Sequence, residues 1–238
     1  MRKLFLLPAV TLLFLQSCAT LYNSLTPHVP AFSGGNQFVA TGALGSKGAD
    51  AAFSYAPVNH FYAGANATGI YMSQYRFHAA AAGHAGMFFP IGNKVLDIQG
   101  GYGFGNARWV NQGGRDDQID DAAGDFTLGF GQIALQVSRK EHSAFGFGAR
   151  YTAITYHYTR VYSIAGGYQN YDYWLAKPAH YGESSVFFYY DEVHNENRRV
   201  RLTFGLNITP KILSSCPETA SLGICFYVGG KKNLTSGN

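Results

Sequence analysis

Five charged residues, Asp97, Asp125, Arg150, Arg199 and Arg201, stand on the polar side of segments whose apolar residues recur at every second position. Carboxylates and guanidiniums enclosed together must pair and hydrogen-bond, because an unpaired buried charge is strongly destabilising. Arranged around water, the same groups make a selectivity ring. Asp116, Asp117, Asp120 and Asp121 crowd a second, acidic stretch. Calcium takes carboxylate oxygens, but this spacing matches no defined calcium loop and no metal is assigned. Tyr162, Tyr168, Tyr171, Tyr173 and Trp174 belong to an aromatic-rich stretch, 151–181, suited to stacking on a sugar or anchoring a partner. The commoner use of such rings is an interfacial girdle. None of the eight histidines stands in a ligand spacing such as His-Glu-x-x-His. Gly101-Tyr102-Gly103-Phe104-Gly105 lies inside an alternating strand, where a phosphate-cradling loop does not belong. His142-Ser143 beside Glu141 is the nearest approach to a hydrolase array, and it falls on a turn. No catalytic residue and no cofactor is assigned.

The elements that hold these residues are strands. Residues 198–209 alternate most clearly, with Val200, Leu202, Phe204, Leu206 and Ile208 on one face and Arg199, Arg201, Thr203, Gly205 and Asn207 on the other. Segments 144–157, 95–108 and 222–230 repeat the pattern. In 124–138, Phe126, Leu128 and Phe130 share one phase, and Ile133, Leu135 and Val137 the other. A bulge near Gly131-Gln132 is expected to reconcile them. Weaker strands fit at 36–44, 49–57, 60–68, 77–89 and 183–191. Tight links at 57–59, 90–94, 139–142 and 192–197 alternate with longer ones at about 69–76, 109–123, 158–182 and 210–221; the first link, near Gly45–Gly48, is short. The fold class is therefore all-β: a transmembrane, antiparallel, up-and-down β-barrel of ten strands, with eight as the alternative. In a narrow barrel the glycines point inward and phenylalanines face lipid.

Composition agrees. Aromatic residues make up 16% and charged residues 13%, against about 25% charged in a typical soluble domain. Beyond residue 18 no apolar run is long enough for a membrane helix. The basic residues are scattered, with only Arg198-Arg199-Val200-Arg201 clustered, which excludes a nucleic-acid interface.

At the N-terminus, Arg2 and Lys3 precede an apolar run, Leu4 to Leu15, and then Ser17 and Cys18. This is the layout of an export signal. Leu15-Gln16-Ser17-Cys18 resembles the lipobox of bacterial lipoproteins. That resemblance implies cleavage before Cys18, diacylglycerol on its sulfur and an N-acyl chain such as palmitate. Without Arg2 and Lys3 the net charge falls from +4 to +2. The expected organisation is a signal peptide over 1–17, a lipid-anchored tether over 18–35 broken by Pro27, Pro30, Gly34 and Gly35, and a barrel over 36–238. With Cys18 acylated, Cys216 and Cys225 remain as a candidate disulfide for an oxidising compartment, free buried thiols being the alternative.

Cys18-Ala19-Thr20-Leu21-Tyr22, the stretch from Pro27 to Phe32, and Ser54-Tyr55-Ala56-Pro57-Val58-Asn59-His60 resemble a group of small lipid-anchored bacterial outer-membrane barrel proteins, most of unassigned activity. The similarity is best over 18–70. It implies location and fold and supplies no catalytic residue. The expected function is a non-enzymatic outer-membrane lipoprotein with a structural or surface-interaction role. Its partners would be outer-membrane lipid and an extracellular glycan or protein met by the long loops. Two alternatives stand beside it. One is an envelope-lipid-modifying enzyme. The other is a lipid-tethered soluble barrel holding a small apolar ligand, whose apolar residues would point inward.

Overall fold

The computed structural model describes residues 27–30, 32–45, 48–73, 76–110, 121–140, 143–162, 177–195, 198–208 and 218–231. Ten strands follow in chain order: β1 (Gln37–Gly45), β2 (Gly48–Val58), β3 (Phe61–Ser73), β4 (Arg76–Ile91), β5 (Lys94–Val110), β6 (Asp121–Lys140), β7 (Ser143–Tyr162), β8 (Ala179–Asn195), β9 (Arg198–Ile208) and β10 (Glu218–Lys231). Each pairs antiparallel with its neighbours in sequence, and β1 closes on β10, so the sheet is a complete barrel of ten strands and not eight. Closure satisfies both edges of what would otherwise be an open sheet.

The two-residue turns at 59–60 and 92–93 lie at one end, together with the facing ends of β6 and β7 and of β8 and β9, the start of β1 and the end of β10. Gly92 opens the β4–β5 turn at φ +60°. A glycine with positive φ at the first turn position suits a two-residue hairpin. His60 takes φ +72° with no such freedom. Its ring Nδ1 donates to the Phe88 carbonyl at 2.9 Å, and its own carbonyl accepts from the Phe88 N–H at 3.0 Å. The link expected over 69–76 is tighter than its sequence suggests, because Ser73 already faces Arg76.

The strands lean. Followed along paired residues, the row through Arg201 passes Cys225, Ala43, Asp50, Thr68, Ala80, Gly105, Phe126 and Tyr156. It reaches β8 at Ala179, far along the strand from Asp191, which Arg201 itself faces. Such a stagger is what a tilted, closed barrel requires.

Polarity follows height. On β9, Leu202, Phe204, Leu206 and Ile208 face outward and exposed, while Arg201, Thr203 and Asn207 are buried inside. This is opposite to the polarity expected of a soluble barrel with an apolar ligand inside, and that alternative falls. On β7, Phe145, Phe147 and Tyr151 face out, but higher up Thr155, His157 and Thr159 do so, and Ile154, Tyr156 and Tyr158 turn inward. The same inversion runs along β6. Ile133 is exposed on the outside, whereas Phe126, Leu128 and Phe130 are buried in the lumen. The bulge expected near Gly131-Gln132 is absent: β5 and β6 pair without a break, and β6 shifts against β7 only at Ala123/Gly124 and Gln136/Ser138. The strand keeps its phase. What changes is the surroundings, from an apolar outer band to a polar outer crown over an apolar core.

Several inward glycines are covered by rings. A Cβ on Gly146 would lie 2.2 Å from the Tyr189 ring, and one on Gly148 would lie 2.4 Å from Phe187. Gly101 is covered by Phe130 and Gly105 by Phe126. Gly101, Gly105, Gly146 and Gly148 point inward as expected, with part of the space they leave filled by inward-facing rings, but Gly131 faces outward and Phe130 beside it faces the lumen, the reverse of the expected arrangement.

Candidate functional site: the filled lumen

The segment preceding β1 runs inside the barrel. His28, Val29, Pro30 and Phe32 are all buried. Phe32 packs against Tyr62 and Phe88 near the short-turn end, at ring separations of 5.4 and 5.6 Å. Val29 joins Ala134, Phe187 and Tyr189. A tether was expected through residue 35. Its second half is instead an internal plug.

Side chains on the wall grip the plug by its backbone, whose carbonyls must be satisfied when buried. Gln99 Nε2 and Gln132 Nε2 both donate to the His28 carbonyl, the latter at 3.0 Å. Arg201 Nη1 donates to the Val29 carbonyl at 2.9 Å. The rest of the Arg201 fork engages Asp191, with Nε on one carboxylate oxygen and Nη2 on the other at 2.8 Å. The guanidinium also lies 4.0 Å over the Tyr189 ring. A fully enclosed ion pair is stable only with this completeness of bonding.

The His28 ring reaches β2. Ser54 Oγ stands 2.9 Å from His28 Nε2 and 2.8 Å from His84 Nε2. One hydroxyl has one proton, so it accepts from one imidazole and donates to the other. Thr41 settles the direction: its hydroxyl donates to the Ala52 carbonyl and therefore accepts from His28 Nδ1–H at 3.4 Å. The assigned circuit is His84 Nε2–H to Ser54, Ser54 to His28 Nε2, and His28 Nδ1–H to Thr41. Burial, together with the fields of His84 and Arg201, holds the His28 imidazole well below its ordinary 6.5, so it is neutral here.

A serine between two imidazoles has the parts of an activated nucleophile. Ser54, however, has no exposed surface and faces the lumen under His28. A lipid on the outer face cannot reach it with attack geometry. The arrangement acts as a latch on the plug.

Of the charged residues singled out in the sequence, Asp97, Arg150 and Arg201 are buried in the lumen. Tyr62 donates to both Asp97 oxygens at 3.0 Å, and Arg150 lies 4.0 Å over the Phe130 ring. Asp125, expected in the lumen, is not there. It faces outward and exposed, opposite Asn106 and His157, in the polar crown where water solvates it. Arg199 pairs with Val193 and Tyr227, and Asp121 with Tyr162, as backbone positions only. Cys225 stands opposite Ala43 and Arg201. The candidate disulfide partner Cys216, the lipidation residue Cys18, the acidic residues Asp116, Asp117 and Asp120, and the aromatic residues Tyr168, Tyr171, Tyr173 and Trp174 lie outside the described residues. Sequence reasoning missed His28, Ser54, His84, Gln99, Gln132 and Asp191 as a constellation.

No known protein family matches the chain, and no curated protein does. Among solved structures it is similar to a loop L8 deletion mutant of OmpT, an outer membrane protein of Vibrio cholerae, with 9% identity, a TM-score of 0.29, and coverage of 76% of this chain and 63% of that one. It is also similar to the CymD monoaromatic hydrocarbon channel (6% identity, TM-score 0.28, 82% and 87% covered). A third similar structure is Pseudomonas putida OprB at high pH (10% identity, TM-score 0.23, 77% and 59% covered). The chain thus spans under two thirds of the length of the Vibrio cholerae protein.

Proposed function

We propose that this chain is a non-enzymatic lipoprotein of the bacterial outer membrane, a barrel stopped by its own N-terminal segment and presenting its long links outward. The observation that carries the reading is the pairing of an outward apolar band with a lumen occupied by His28, Val29, Pro30 and Phe32. On β7 the band covers residues 145–153, the length of about 9–11 residues that a tilted strand needs to cross a bilayer. The polar crown of Asn106, Asp125, Thr127, Thr155, His157 and His180 would then stand in water beyond the lipid. Short turns belong to the periplasm and longer links to the outside in such barrels, which puts the plug's entrance in the periplasm. An acyl anchor on Cys18 is compatible with that side. The partners are outer-membrane lipid and, through the long links carrying Tyr162 to Trp174, an extracellular glycan or protein.

The test is sidedness and closure together. Fluorophores on Phe204→Cys and Thr203→Cys, in a background lacking Cys216 and Cys225, are compared in vesicles of brominated lipid. Quenching at 204 alone, with vesicles that retain small solutes, is expected. Equal quenching at both positions contradicts the membrane barrel, and rapid solute loss contradicts the stopped lumen. Incorporation of a palmitate analogue, abolished by Cys18→Ala, tests the anchor.

A further inference from the structure

We propose that the plug is released by protons, with His28 as the group that senses them. This rests on the plug reading above and adds control to it.

The geometry places a buried titratable ring on a segment that belongs to no strand ladder. His28 is the residue whose carbonyl two glutamines grip and whose ring closes the circuit through Ser54 and Thr41. That circuit needs a neutral His28, because Nε2 must accept. A proton added there turns Nε2 into a second donor aimed at Ser54 Oγ, which already receives the His84 N–H. The serine proton then loses its acceptor in a place with no exposed surface.

The fields that act on the ring reinforce this. The lumen wall presents Tyr62 from β3, His84 from β4, Asp97 from β5, Arg150 from β7, Glu183 and Asp191 from β8, and Arg201 from β9. β1, β2 and β6 meet the segment with Thr41, Ser54 and Gln132. The two groups whose fields act most on His28, His84 and Arg201, both oppose a positive imidazole. Asp191 is engaged by the Arg201 fork, and Asp97 accepts from Tyr62. An imidazolium is better solvated outside the barrel than within it.

The sign follows. Docking is at full strength above the ordinary imidazole value of 6.5 and weakens as pH falls below it. The weakening is about tenfold per pH unit, continuing down to the depressed value of the docked ring. In acid the plug leaves by the short-turn end. It uncovers Gln99, Gln132 and the Val29-binding arm of Arg201 as a vacant peptide-backbone site inside a standing barrel.

A nitroxide on Ser33→Cys, at the exposed mouth, reports docking by its mobility in the full lipid-reconstituted chain lacking Cys216 and Cys225. The expected result is an immobile label at pH 7.5 and a reversible mobile fraction growing by about tenfold per unit below pH 6.5, with the far-UV strand signal unchanged. His28→Gln keeps a neutral group near Ser54 and is expected to stay immobile down to pH 4.5. A wild-type label immobile throughout overturns proton control but leaves the plug intact. A label mobile at every pH overturns the plug itself. Equal release in H28Q, or release only together with loss of the strand signal, also overturns the proposal.

Discussion

Arg201 and Val29, far apart in the chain, are joined by a 2.9 Å bond from a guanidinium to a backbone carbonyl. The same guanidinium is forked onto Asp191. One side chain therefore links the barrel wall, its buried ion pair and the plug. Loosening any of the three is felt by the other two.

Arg201→Met leaves Asp191 enclosed without its cation and frees the Val29 carbonyl. Removing one partner of a buried pair costs about 3–5 kcal/mol, whereas replacing both with apolar residues is often nearly neutral. The double variant Arg201→Met/Asp191→Leu is accordingly expected to be more stable than Arg201→Met alone. Equilibrium urea unfolding from vesicles or micelles, run as a double-mutant cycle, measures the difference.

Gly146→Ala drives a Cβ into the Tyr189 ring, which supports Arg201 from below. Overpacking of this kind costs about 1–3 kcal/mol. Gly131→Ala meets nothing within 4 Å and should be neutral within about 0.5 kcal/mol. Comparing the two unfolding midpoints separates a glycine required by its neighbour from one that is not.

Two aspartates that look alike in the sequence should behave differently. Tyr62→Phe strips the buried Asp97 carboxylate of its phenolic donor and should destabilise by about 1–3 kcal/mol. Asp125→Asn, in the exposed crown, should change stability by less than about 0.5 kcal/mol. The same unfolding assay reads both.

Gln99→Leu with Gln132→Leu leaves the His28 carbonyl buried with neither donor. The amides of His28, Val29 and Phe32 should then exchange with deuterium at least about tenfold faster at neutral pH, since an unsatisfied buried acceptor costs about 1–3 kcal/mol. Amides in the centres of β5 and β6 should be unaffected.

The strands were legible because a half-buried strand announces itself by a period of two, and β9, β7 and β5 carry it cleanly. The face assigned to each residue there, Leu202 and Phe204 out and Arg201 and Thr203 in, is the face observed. β6 was misread at one point for a physical reason. A period gives the phase of a strand, not what lies outside it. Phe126 and Ile133 lie on opposite faces of one strand that keeps its phase, and both are apolar because the outer surroundings change between them; Asp125 follows Thr127 into solvent for the same cause. The site was less legible. Asp191 meets Arg201 only through a β8–β9 register that shifts between Val193 and Asn195. His28 stands in a stretch with no period at all. Two prolines and two glycines there signalled irregular backbone, and nothing in them distinguishes a free tether from a chain threaded into a lumen.

The placement of His28, Val29, Pro30 and Phe32 inside the barrel can be checked by a crosslink between the plug and the wall. Val29 shares one buried apolar cluster with Ala134 of β6. Cysteines placed at both positions, without Cys216 and Cys225, are oxidised in the folded, lipid-embedded protein and resolved by peptide mass. A 29–134 crosslink is expected in most molecules, abolished by unfolding before oxidation. A folded barrel in which cysteine 29 stays free and reacts at once with a water-soluble thiol reagent would contradict it.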